Sequence, residues 1–219
     1  MTRINVIQPC ELTDQHLLAE VREIVRMPSY LNKSLNSKKG FKLSDIPTEY
    51  TMGTGHVKFF YNKFHWLKKR YEKLITECER REFSITNTDS SIFKVGNPYY
   101  NGYVPTGKSI KINRERIIER IKANRDFYKH YGQKHDLIMG DKVTYLGNDE
   151  KWVGGLVKGR TYIINYPYQD GYSLMCEDLT PTGYWAKESM LDHKRVKDTR
   201  LARKMFPDYV ENNGWLYEV

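Results

Sequence analysis

The chain has 219 residues, 39% of them hydrophobic, which is enough for one large domain or two small ones with a buried core. It contains no run of about 18 apolar residues, so we expect no membrane-spanning helix. The start, MTRINVIQPCELTDQ, lacks the apolar core of a signal peptide. Cys10, Cys78 and Cys176 are odd in number and far apart, which favours reduced intracellular thiols over a disulfide framework or a zinc site.

The positive charge is concentrated in the N-terminal part of the chain. The net charge is +9, and residues 1–136 hold 25 Lys and Arg against 15 Asp and Glu. Residues 137–219 hold 11 against 12. A basic excess in one part of the chain indicates a polyanionic partner there, with nucleic acid favoured over a membrane surface.

Residues 1–82 show two strong helix signals. Thr13 or Asp14 can cap a helix that runs to about Met27. Residues 28–54 are rich in Pro, Gly, Ser and Lys and are predicted as loop with a turn or two of helix. From about His56 to Arg81, apolar residues recur in steps of three and four, which predicts one long helix.

The next stretch is predicted to end the helical region. Residues 83–112 contain Gly, Asn, Pro and several tyrosines and are typical of irregular structure. Asn113 can cap a last helix that runs to about Lys129 and buries Ile117 and Ile121. Three helices therefore dominate the first 136 residues.

The pattern changes near residues 133–136. Short β-rich runs follow, separated by Gly, Asp-Gly and Pro-Thr-Gly turns, which is typical of a small SH3-like barrel. We therefore predict a mainly α N-terminal domain over residues 1–136 and a small all-β SH3-like domain over 137–193. Residues 194–219 form a basic C-terminal tail that is predicted to be partly helical.

The N-terminal residues offer chemistry of their own. Thr2 is small, so we expect removal of Met1 and a free α-amine on Thr2. An α-amine has a pKa of about 7.7–8.0, so a useful fraction is unprotonated at neutral pH and can attack a sugar C1′ to form a Schiff base.

The first helix carries a charged face. His16, Glu20 and Glu23 lie at i, i+4 and i+7, and Gln15, Arg22 and Arg26 follow the adjacent stripe. Two interpretations stay open at this point. The face is either a solvated, salt-bridged surface or a carboxylate held near DNA phosphates, where it would stabilise positive charge on a sugar and move protons.

Four segments favour the second interpretation. MTRIN, ELTDQHLLAEVREIVR, GTGHVKFFYNKFHWLKKR and FYKHYG occur in the order found in the phage-type pyrimidine-dimer DNA glycosylases, which are also abasic-site lyases. The chain resembles that family over about residues 1–134. The resemblance implies a compact helical enzyme that excises cyclobutane pyrimidine dimers from duplex DNA and then cuts the strand by β-elimination.

The resemblance also implies roles for particular residues. Thr2 matches the nucleophile and Glu23 the catalytic carboxylate. The implied DNA-contacting or neighbouring active-site positions are Arg3, Gln15, His16, Arg22, Arg26, Lys33, Arg116, Arg120, Tyr128, Lys129 and Tyr131. We expect no metal and no other cofactor, because imine chemistry requires none. The expected partner is double-stranded DNA carrying pyrimidine dimers, bound by a monomer in the cytoplasm.

Several alternatives remain at this stage. FYKHYG carries Phe127 and His130 where the family has other aromatic residues, so the same imine chemistry could serve a different damaged or modified base. The chain could also be a non-catalytic damaged-DNA-binding protein. The β domain has no counterpart in the minimal enzyme. Its aromatic residues form either a ligand groove, which would admit a protein partner, or the core of the barrel.

Overall fold

The computed structural model describes residues 4–148 and 155–192, and the backbone of three further strands between residues 195 and 218. The chain divides into two compact units, Met1–Arg116 and Ile117–Val219. The helical region ends with a short 3-10 turn at Arg125–Phe127, and a five-stranded antiparallel sheet occupies residues 142–192. The predicted order of a helical region and then a β region is therefore confirmed. Within the described ranges, no helix combines the length and apolarity that a membrane crossing requires.

The first unit is built on two packed helices. Its helices are α1 (Asp14–Ile24), α2 (Met27–Leu35), α3 (His56–Phe59), α4 (Phe64–Arg80) and the first part of α5 (Gly107–Ala123). The Thr13 side chain caps α1 by accepting a hydrogen bond from the backbone N–H of His16. The helix α1 packs against α4. The buried apolar stripe of α4 consists of Phe64, Leu67, Tyr71, Leu74 and Cys78.

One predicted helix in this unit agrees with the structure and one does not. The turn or two of helix predicted within residues 28–54 is present as α2, which has Pro28 in its first turn, where a helix tolerates proline. The predicted long helix is interrupted after Phe59. Phe59, Phe60 and Tyr61 are all buried, and three consecutive side chains cannot share one stripe of a helix, so the chain turns before α4 begins.

The predicted start of the last helix is also wrong. The helix α5 begins at Gly107 and ends at Ala123, so Asn113 lies inside it and caps nothing. Asn113 is fully buried and its Oδ1 accepts hydrogen bonds from the backbone N–H groups of Val6 and Ile7 at 2.7 and 3.4 Å. The predicted burial of Ile117 and Ile121 is confirmed.

The second unit holds an antiparallel sheet with the strand order β4-β3-β2-β1-β5. Its strands are β1 (Lys142–Tyr145), β2 (Thr161–Tyr168), β3 (Gly171–Met175), β4 (Pro181–Lys187) and β5 (Leu191–Asp192). Gly171 is required where β3 meets β4, because a Cβ there would lie 2.0 Å from the carbonyl oxygen of Ala186. The hydrophobic core of this unit includes the strand residues Val143, Tyr145, Tyr162, Ile164, Tyr172 and Leu174.

Three more strands follow in the C-terminal region. They are β6 (Arg195–Lys197), β7 (Tyr209–Asn212) and β8 (Trp215–Glu218), paired in the order β6-β8-β7. The sequence predicts no strand here. The predicted helical stretch covers residues 194–206. It is wrong for residues 195–197, which form β6, and its other residues lie outside the described residues.

Candidate active site and DNA interface

Glu23 lies in the last turn of α1 and reaches solvent. Its Oε1 accepts a hydrogen bond from the Tyr30 hydroxyl at 3.3 Å, and its Oε2 lies 3.4 Å from Nη1 of Arg26. The Glu23 side chain is 15% exposed, and that of Arg26 is 60% exposed. Two donors from the chain that follows α1 therefore orient a carboxylate that keeps access to solvent. No spacing signal in the sequence points to Tyr30.

Glu20 does not share this exposed position. It is fully buried, with Nε and Nη2 of Arg70 each 2.9 Å from one of its carboxylate oxygens. The backbone N–H and side-chain amide of Asn5 donate to the same two oxygens at 3.1 and 2.8 Å. The prediction of a surface face with two acids is therefore wrong. Glu20 is a structural anchor, and Glu23 is the carboxylate that meets solvent.

Removal of Arg70 should be strongly destabilising. Arg70→Met leaves the Glu20 carboxylate buried without its cation, which lowers the free energy of unfolding by about 3–5 kcal/mol. Urea denaturation measures this. Arg80→Met makes the same chemical change on the same helix, but Arg80 is 60% exposed in its pair with Glu77, so we expect less than about 1 kcal/mol. Equal losses in the two variants would contradict the assignment of Glu20 as an anchor.

The other predicted residues of α1 and α2 lie at or near the surface. His16 and Gln15 are half-buried, and Nδ1 of His16 lies 2.7 Å from Oγ1 of Thr13. Arg22, Arg26 and Lys33 are exposed. Among the residues predicted for the site, Arg26 and Glu23 contact each other directly. Thr2 and Arg3 lie outside the described residues.

The remaining predicted residues lie farther along the chain. Arg116 is half-buried on α5 in the first unit. Arg120, Tyr128, Lys129 and Tyr131 belong to the second unit. Lys129 is exposed, and Tyr131 is 41% exposed in a left-handed conformation with φ 52°. A bulky residue with positive φ is uncommon outside tight turns, and here Tyr131 and Gly132 form the turn between the paired residues His130 and Gln133.

A groove of about 410 Å³ lies beside α1. Sequence reasoning missed it, because one wall is the irregular segment of residues 83–87. Arg22 stands at this groove and Tyr71 contributes to its lining. The other lining residues are Leu18, Val21, Val25, Phe83, Ser84, Ile85, Thr86 and Asn87. An apolar groove with an arginine beside it suits a flat, partly apolar group attached to a phosphate.

Lys63 supplies a second unusual amine in the first unit. Its Nζ donates to the carbonyl oxygen of Phe59 at 2.7 Å and to Oδ1 of Asn62 at 2.8 Å. The same nitrogen lies 3.9 Å from the centre of the Phe59 ring. Burial lowers the pKa of Lys63 to about 8, which is the range of an α-amine. Any test of an amine nucleophile therefore has to distinguish Lys63 from the amino terminus.

Aromatic residues of the β domain fall into two groups. Tyr145 and Tyr162 are buried in the core of the sheet, as the core interpretation predicts. Tyr166, Tyr168 and Trp185 retain partial exposure, with successive ring centres 6.4 and 6.1 Å apart. Trp152, another aromatic residue that the sequence offers for such a groove, lies outside the described residues.

The comparison with protein families assigns the first part of the chain. Residues 1–91 match a family model described as pyrimidine dimer DNA glycosylase. The matched segment contains Glu23, the anchor pair of Glu20 and Arg70, and the groove beside α1. Beyond residue 91 the resemblance stays a prediction. Over residues 1–91, this chain is similar to the pyrimidine dimer DNA glycosylase family.

Proposed function

We propose that this chain excises cyclobutane pyrimidine dimers from duplex DNA and cleaves the resulting abasic site, with the α-amine of Thr2 as the nucleophile. The match of residues 1–91 to that family supports pyrimidine-dimer DNA glycosylase activity. The observation that carries the proposal is the carboxylate of Glu23, which is partly exposed and oriented by Arg26 and Tyr30 within the matched segment.

The proposed reaction has two steps. The Thr2 amine attacks C1′ of the 5′ nucleotide of the dimer, and the glycosidic bond breaks with its electron pair leaving on the base. The amine then loses a proton, the sugar ring opens and an imine forms at C1′. In the second step a proton leaves C2′, and the bond between C3′ and its phosphate oxygen breaks. Glu23 stabilises the positive charge at C1′ and accepts protons.

Charged groups around Glu23 support a DNA-bound complex. Arg22 and Arg26 are exposed on the same stretch of chain and would bind phosphates on either side of the lesion. Lys33, Arg116, Arg120 and Lys129 would add salt-sensitive affinity. On the basis of the family resemblance, we also propose that Arg3, Gln15, His16, Tyr128 and Tyr131 contact DNA.

The groove beside α1 fits the same proposal. An enzyme that acts on a base in duplex DNA has to open the stack, and a dimer weakens the duplex at that point. The side chains of Leu18, Val25 and Phe83 offer apolar contact to an extruded base. Arg22, which also lines the groove, would bind the phosphate of that nucleotide. We propose that the groove receives a base extruded at the lesion.

The C-terminal part is proposed to form a domain of its own. We propose that residues 137–193 form an SH3-like domain after a catalytic domain of residues 1–136, with 194–219 as a C-terminal extension. The antiparallel order of the five strands and their compact core support this assignment. The proposed active species is a monomer that acts on DNA in the cytoplasm.

A defined substrate tests the proposed function. The full chain should nick a duplex containing one thymine dimer and leave the matched undamaged duplex intact. The cut should produce a 3′ unsaturated aldehyde, because β-elimination leaves that end and hydrolysis does not. EDTA should leave the rate unchanged. Cleavage that requires a divalent cation, or equal cleavage of both duplexes, would contradict the proposal.

A further inference from the structure

The segment before α1 is buried without belonging to a helix or a sheet. Ile4, Asn5, Val6 and Ile7 are each no more than 6% exposed. Buried backbone N–H and C=O groups need hydrogen-bond partners, and here buried side chains provide them. Glu20 binds the N–H of Asn5, and Asn113 binds that of Val6.

Both backbone groups of Ile4 are held by one short stretch of chain. The N–H of Ile4 donates to Nε2 of His56 at 3.1 Å, and its carbonyl oxygen accepts from the Tyr50 hydroxyl at 3.3 Å. The Tyr50 and His56 rings pack edge to face, with centres 5.4 Å apart. Ile4 is therefore fixed at two points by side chains that also fix each other.

The surroundings of His56 determine its protonation state. Its Nδ1 lies 2.6 Å from the carbonyl oxygen of Thr51, and a carbonyl oxygen only accepts, so Nδ1 carries the proton. The bond from Ile4 requires a lone pair on Nε2, so the ring is neutral. His56 is 1% exposed and begins α3 directly after Gly55, whose φ of 95° forms the turn into that helix.

We propose that His56 and Tyr50 are positioning residues that hold the amino terminus in place for nucleophilic attack. This inference rests on the proposed function, which makes the α-amine of Thr2 the nucleophile. Two peptide units span at most about 7 Å, so fixing Ile4 restricts the volume that an amine on Thr2 can explore. A displacement of about 1 Å in a reacting group can cost about 100-fold in rate.

Two substitutions of His56 separate positioning from packing. His56→Gln keeps an acceptor that reaches the N–H of Ile4. His56→Asn keeps a donor for Thr51 but is one methylene too short for Ile4. Tyr50→Phe removes the hydroxyl and retains the ring, which also packs against Phe59 and Phe60. Leu74→Ala, a core change in α4, controls for loss of stability.

The experiment measures the single-turnover rate of borohydride trapping on an abasic duplex, together with the affinity for a duplex carrying a stable tetrahydrofuran abasic analogue. We expect His56→Asn to trap at least about tenfold more slowly at unchanged affinity, with His56→Gln and Tyr50→Phe intermediate. Leu74→Ala should trap at the parental rate at a temperature where every variant is folded.

Each contrary outcome has a distinct meaning. If the parent traps and His56→Asn traps equally fast, the positioning role is wrong and the proposed function stands. If Leu74→Ala slows as much as His56→Asn, general loosening explains the effect and the positioning role is again wrong. If the parent does not trap at its amino terminus, the proposed function itself is wrong, and the inference fails with it.

Discussion

Glu23→Gln should lower the single-turnover rate of dimer excision by about 10²–10⁴-fold, the contribution of a positioned acid or base. Gln preserves the volume of the side chain and can still accept the hydrogen bond from Tyr30, but it lacks the negative charge that stabilises C1′ and the basicity that accepts protons. Affinity for dimer DNA, measured by fluorescence anisotropy, should be retained or slightly raised, because a negative charge near phosphates is removed.

A control on α4 isolates the effect of position. Glu79 is exposed, and Glu79→Gln removes the same charge, so it should excise dimers at the parental rate. Excision by Glu23→Gln at the parental rate would remove Glu23 from the mechanism and leave its contacts with Tyr30 and Arg26 as surface structure.

Acetylation of the amino terminus should abolish both excision and strand cleavage. An acetylated nitrogen has no available lone pair for attack on C1′, whereas the fold and the DNA-binding arginines are unchanged. The measurement compares acetylated and unmodified protein on dimer duplex and on abasic duplex, with anisotropy to confirm equal binding.

Lys63 provides the control for this second prediction. Its amine has a pKa of about 8, which is in the range of an α-amine, so Lys63 is a competing candidate for the nucleophile. Lys63→Gln should retain excision and lyase activity. Activity that survives acetylation and disappears in Lys63→Gln would move the nucleophile to Lys63.

Local patterns in the sequence predict the parts of the fold that local forces decide. The three-and-four spacing of apolar residues locates α4, and the Thr13 cap locates α1. The turn residues between short apolar runs locate β1 to β4. In each case the signal lies within the residues of the element itself.

The sequence predictions are wrong where a partner distant in the chain determines the position of a side chain. Glu20 has the helical spacing of a surface acid, but its partner Arg70 lies fifty residues along the chain, and no local pattern shows that pairing. Asn113 has the side chain of a helix cap, yet it binds backbone groups more than a hundred residues away. In both cases a tertiary hydrogen bond outweighs local preference.

The candidate site divides in the same way. The resemblance identifies Glu23 and the arginines, because the family motif is contiguous in α1. Three further features arise only when the fold brings separate segments together. They are the hydrogen bond from Tyr30 to Glu23, the groove lined by residues 83–87, and the hydrogen bond from Ile4 to His56. They are products of the fold, and the spacing of residues does not encode them.

Borohydride trapping on a duplex with one defined thymine dimer tests the central proposal most directly. Undamaged and abasic duplexes serve as references, and peptide mapping identifies the modified amine. The proposal predicts a covalent complex on the dimer and abasic duplexes, none on undamaged DNA, and an adduct on Thr2. Trapping on the abasic duplex alone would contradict the dimer substrate, and no trapping on either duplex, or an adduct on Lys63, would contradict the amino-terminal mechanism.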